Sequence, residues 1–204
     1  MFKPIQWRRF PKDFAVIQLG FALFGMAIAI FIRANLGTSP WVVFEVALIH
    51  YIPITPGQAA ILVGAFVLLM ALLLREPVGW GTGANIICIG LWEDLFLGIL
   101  PAAQGNWWIQ APYLLSGVAV MGIATAIYIG VNAGAGPRDS LMLAISRTTG
   151  VSVRLARTMV EVTVVIAGWL LGGPLGLGTL LYSLTIGPAV QAAFRLLKVQ
   201  PHTR

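Results

Sequence analysis

Residues 35–43 read NLGTSPWVV and residues 132–140 read NAGAGPRDS. The two share an Asn-x-Gly-x-x-Pro frame placed ninety-seven residues apart, and each closes a long apolar run. An ordinary helix end needs no such device. Sliding the chain on itself by that offset, without a gap, aligns 20–90 with 117–187 and gives 22 identities in 71 positions. Composition this biased yields roughly one match in ten. The breakers coincide: Gly20 falls on Gly117, Gly25 on Gly122, Gly37 on Gly134 and Pro40 on Pro137. Further on, Pro77 falls on Pro174, Gly79 on Gly176, and Gly81-Thr82 on Gly178-Thr179. Shared breakers at fixed spacing imply a shared backbone path, so the chain reads as a duplication.

Composition decides the solvent. The sequence is 58% hydrophobic with only 10% charged residues, and its mean hydropathy is +0.88. A soluble domain carries about a quarter charged residues. Runs such as 14–32 and 59–74 approach the roughly 20 apolar residues that span hydrocarbon. The single cysteine, Cys88, excludes an internal disulfide and a cysteine-based metal site. The basic N-terminus is followed by no small-residue cleavage site, so the first run reads as a retained helix. The chain is expected to be an all-α, multi-pass membrane protein with no cofactor and no metal. Its expected partners are the lipid bilayer, a small solute and, as an option, further copies in a homo-oligomer. Nucleic acid is not expected despite the net charge of +6.

Six spans are expected, at 14–33, 58–74, 80–100, 109–130, 154–171 and 177–195. Two shorter pieces, 40–51 and 137–148, cannot cross at about 1.5 Å per residue. Each follows a Gly/Pro break, formed by Gly37 and Pro40 or by Gly134, Gly136 and Pro137. Each is a half-helix that either re-enters the membrane or lies in its interface. Proline suits a first helical turn, and Ser39 can cap the one beginning at Pro40. The domains are a basic tail (1–13), a first repeat (14–100), a linker (101–108), a second repeat (109–195) and a second tail (196–204).

Charge gives the orientation. With the N-terminus inside, twelve of the 13 basic residues fall in cytoplasmic segments, and only Arg33 lies outside. The positive-inside rule therefore places both termini in the cytoplasm of a plasma-membrane protein. Three full spans per repeat force the second repeat to start from the opposite side. The halves should have inverted topology, an arrangement recurrent in transporters, with the solute site where the repeats meet.

The same motifs carry a family resemblance. GLGTSPW after the first span, GAGPRDSLMLAISRTTGVSVRLARTMVEV in the second half, and GWLLGGPLGLGT before the last span resemble the YitT/YczE-like family of bacterial integral membrane proteins. The resemblance covers nearly the whole chain and implies membership and topology, but no substrate. The first half departs once: Val42 stands where an acidic residue is expected after the Pro-Trp, while Asp139 is present in the second half.

Candidate solute-binding residues are the polar ones in or beside the spans, where they are expensive and usually functional. Glu161 lies about 10 Å into its span, with Arg157 one turn and Arg154 two turns before it. Arg138, Asp139 and Ser140 open the second half-helix. This cluster either binds an anion or relays a proton, or it clamps the half-helix to the fifth span. Glu161 is expected to pair with Arg138, because Arg157 precedes it in the less favourable helical order. The offset mates of Glu161, Arg138 and Asp139 are Gly64, Trp41 and Val42, so any charged site is lopsided toward the second repeat. Glu45, Glu93 and Asp94 form either an acidic outer vestibule or an interfacial pair beside Trp92. Asn35, Asn132, Thr82 and Thr179, with Gly81 and Gly178 beside the threonines, either satisfy backbone groups freed at the breaks or line the pathway. Trp107 and Trp108 read as aromatic-belt anchors, and His50 as interfacial.

No Ser/His/Asp arrangement or histidine-rich cluster is present, since His50 and His202 are the only histidines. GLGT and GWGT suit helix packing or breaks better than nucleotide loops. The protein is therefore not expected to be an enzyme. A transporter or permease of a small, optionally anionic, solute is the first reading. A membrane scaffold docking a cytoplasmic partner through its basic face is the second.

Overall fold

A computed structural model describes residues 7–103 and 105–199. Lys3, His202 and Arg204 of the two tails lie outside the described residues. Eight α-helices are present among the described residues: α1 (Phe10–Ala34), α2 (Pro40–Leu48), α3 (Pro56–Leu73), α4 (Trp80–Ile99), α5 (Trp107–Gly130), α6 (Pro137–Thr149), α7 (Val153–Leu170) and α8 (Leu177–Leu196).

Their ends follow from local chemistry. Proline occupies the first turn of α2, α3 and α6, where its missing N–H leaves no orphan. Thr55 and Gln58 close a reciprocal capping box on α3. Asn35 ends α1 in the left-handed conformation (φ 53°), and Asn132 repeats it after α5 (φ 56°). Asparagine tolerates that region better than most residues.

Five of these helices are long and apolar enough to cross a bilayer: α1, α3, α4, α5 and α8. The segment expected as the fifth span, 154–171, forms helix α7, eighteen residues long, but Arg154, Arg157 and Glu161 take it out of that class. Of the two short helices, α2 has nine residues and α6 thirteen, about 14 Å and 20 Å at helical rise.

Helices α1 and α5 form the centre. Ile17, Phe21, Ile28 and Phe31 of α1 are buried together with Leu114, Val118, Met121 and Tyr128 of α5. The two run antiparallel, since Gly20 packs on Tyr128 while Gly117 packs on Phe31. Helix α4 lies along α1, and α8 lies along α5. The half-helices cross over, α2 packing on α7 and α6 packing on α3. Every one of these contacts has a counterpart ninety-seven residues away. The largest difference is that α3 packs along α4, whereas α7 stands away from α8.

Candidate functional site

The breaks themselves are built by backbone. Gly37 (φ 103°) and Gly134 (φ 130°) hold conformations that side chains rarely adopt. A Cβ on Gly37 would stand 2.7 Å from both Gly176 N and Thr179 Oγ1. A Cβ on Gly134 would stand 2.7 Å from Thr82 Oγ1 and 2.9 Å from Gly79 N. Each break thus wedges against the start of a helix from the other half. Backbone bonds complete the joint: Gly81 N–H donates to Ala133 O at 3.0 Å, and Gly178 N–H donates to Leu36 O at 2.7 Å. Freed backbone groups at membrane depth must find such partners.

Thr82 and Thr179 are buried in these joints. Their hydroxyls accept from Gly79 N–H (3.3 Å) and Gly176 N–H (3.4 Å), and Thr82 also donates to Ala135 O at 2.7 Å. Asn35 and Asn132 are exposed at the helix ends. The two threonines thus bond backbone groups at the breaks, while Asn35 and Asn132 supply the left-handed turns that precede them.

Between the breaks lies a cavity of about 820 Å³. It is bordered by Ser39, Pro40 and Trp41 at the start of α2 and by Gly136, Pro137, Arg138 and Asp139 at the start of α6. The N-termini of both half-helices therefore face the same space. Each carries a partial positive charge and free N–H groups. Arg154, Arg157 and Glu161 of α7 reach the cavity from one side, and Tyr182 and Ser183 of α8 from another. The lack of extensive α7–α8 packing leaves this side open.

Ion pairing differs from the sequence expectation. Arg138 pairs with Glu45, not Glu161, and its guanidinium lies 5.1 Å from the centre of the Trp41 ring. Glu161 accepts from its helical neighbour Arg157 at 2.9 Å, and that pair is half exposed at the cavity's edge. The reason is reach. Arg138 sits at the N-terminus of α6, opposite the N-terminus of α2, so the nearest buried carboxylate is one turn into α2. The acidic vestibule is also absent in the expected form. Glu45 and Glu93 are each 1% exposed, and Asp94 accepts from Gly57 N–H at 2.9 Å and from Thr55 Oγ1, which caps α3.

Several cavity residues carried no sequence signal of their own. Tyr128 donates to Asp139 Oδ2 at 3.4 Å, and Tyr182 borders the cavity from α8. Asn85 borders the cavity from α4. The Trp41 indole N–H is buried with no hydrogen-bond partner, and Ser140 Oγ and Thr38 Oγ1 share that condition. Ser140 lies behind the cavity wall, not on it.

Among the described residues, six longer helices, five of them fit to cross a bilayer, around two half-helices whose N-termini share a cavity define an integral membrane protein of the polytopic helical class. Residues 11–195 match a family described as "Family of unknown function (DUF6198)", and the chain belongs to it. It is 36% identical over 165 residues to the "Uncharacterized membrane protein YczE" of Bacillus subtilis, covering 80% of this chain and 76% of that one. An "Uncharacterized protein" of Haemophilus influenzae is 31% identical over 196 residues, 96% of this chain and 89% of the other. The YczE-like resemblance of the sequence thus holds. No solved structure matches the chain.

Proposed function

We propose that this protein is a transporter of a small anionic solute in the plasma membrane, built from two inverted repeats with the solute site in the cavity between them. The observation that carries the reading is the meeting of the α2 and α6 N-termini over one cavity beside Arg138. Two helix N-termini and a guanidinium are all donors, and together they suit an anion. The role is one of binding and carriage, not catalysis.

Several contacts support the inverted relation. Central mates α1 and α5 are antiparallel, which a two-fold axis along the helices could not produce. Trp41 and Arg138 are offset mates and touch each other, so the axis runs between them. The break of each half seats on the helix start of the other. With α7 counted as a span, its charges turned to the cavity, the distribution of basic residues supports both termini in the cytoplasm.

The test is a thermal-stability screen of the purified chain with acetate, inorganic phosphate and sulfate. At least one should raise the melting temperature in a concentration-dependent way, and Arg138→Gln should abolish the rise. An equal rise in both proteins, or none with any anion, refutes the site and favours the scaffold reading.

A further inference from the structure

Glu45 on α2 and Glu93 on α4 are both 1% exposed, and one oxygen of each carboxylate, Oε2, has no hydrogen-bond partner. Glu93 is sealed in by the close approach of α1 at Gly25, where a Cβ would stand 2.7 Å from Glu93 N. The two carboxylates lie within electrostatic range of each other and of Arg138. We propose that Glu45, Glu93 and Arg138 form a proton site coupled to the solute cavity: one guanidinium neutralises one carboxylate, and the other carboxylate holds a proton.

Charge must balance in a dry place. An isolated buried carboxylate is costly enough that it neutralises instead. Arg138 is the cation bonded to this cluster, through Glu45. The other charged groups nearby are committed elsewhere. Asp94 is held by the N-terminus of α3. On α1, Arg33 donates to Leu97 O, and the polar residue facing α4 is the neutral Gln18, bonded to Trp92 and Cys88. Helix α3 carries no charged side chain. On α6, Asp139 turns to the cavity and Tyr128, within range of Arg157. Three groups with two negative charges and one positive therefore retain one proton.

Coupling follows from Arg138 being 25% exposed at the cavity while Glu45 is not. A solute anion that draws the guanidinium into the cavity leaves Glu45 without its cation. Glu45 then takes a proton from cavity water, and anion and proton are carried together. This last step rests on the anion reading of the cavity, whereas the single proton does not.

Infrared difference spectroscopy of the full-length chain in lipid nanodiscs at neutral pH tests it through the band of a buried, protonated carboxyl. Glu93→Gln should remove that band. Glu45→Gln should remove it too, because Arg138 is then free to neutralise Glu93. Arg138→Gln, which mimics capture of the guanidinium by a solute, should raise the band about two-fold. The double variant Glu45→Gln/Arg138→Gln should restore the wild-type intensity, which guards against misfolding of the single variants. A band indifferent to Glu93→Gln, or one unchanged by Arg138→Gln, overturns the proposal. These arms need no solute, so their failure removes the proton site alone. Failure of the anion screen removes the cavity reading alone.

Discussion

Arg138 takes both of its partners, Glu45 and Trp41, from the other half of the chain. At this scale the sequence pointed to the right arginine and the wrong glutamate. Glu161 looked deep by helical rise, yet it pairs with Arg157 where both are partly exposed. Glu45 reads from the sequence as part of an acidic outer vestibule or of an interfacial pair beside Trp92. The signal that would have found it was present: Trp41 and Arg138 are offset mates, a two-fold axis brings mates together, and Glu45 is one turn beyond Trp41. The two pairs should differ in energy accordingly. Glu161→Gln should cost no more than about 0.5 kcal/mol, the worth of an exposed i,i+4 pair. Arg138→Gln should cost several-fold more, because it strands a buried carboxylate. A double-mutant cycle on Glu45 and Arg138, read by chemical denaturation, should show coupling of about 0.5–3 kcal/mol. Strict additivity would mean that the pair carries no stability.

At the scale of elements, the breaks were the most legible feature, because glycine, proline and threonine at fixed spacing report backbone rather than environment. Gly37 and Gly134 are expected to be intolerant even of alanine. Left-handed strain of about 1–3 kcal/mol adds to a Cβ placed 2.7 Å from a threonine oxygen in either joint. Gly37→Ala and Gly134→Ala should each sharply lower the yield of folded protein. Gly105, also at positive φ but with open space around it, serves as control and should lose only the strain term. Equal behaviour at all three positions would deny that the joints hold the halves together. Thr82→Val should be milder, about 1–2 kcal/mol, for a buried carbonyl and N–H left without their hydroxyl. What the sequence could not give is which helix each break touches. That depends on the crossing of α2 onto α7 and α6 onto α3, a packing choice between elements far apart in the chain.

The whole molecule is nearly symmetric in backbone and asymmetric in charge. The asymmetry has a structural cost that is also its opening. Where α3 closes on α4, α7 carries Arg154, Arg157 and Glu161 and stands off α8. That gap depends on side chains that have no counterpart at the ninety-seven-residue offset, so the duplication alone could not reveal it. The membrane class, the helical fold and the family were legible from composition and motifs. The cavity was legible only as a place where two breaks could meet. As the solute site of a transporter, this cavity should be wet and reachable from both sides of the membrane. Ser183, on its α8 wall, tests that most directly, as Ser183→Cys in a Cys88→Ser background, treated in oriented vesicles with a membrane-impermeant thiol reagent. Labelling is expected from the cytoplasmic face and also, in a separate population, from the outer face. A cysteine inert from both faces, or reactive from one only, would contradict it.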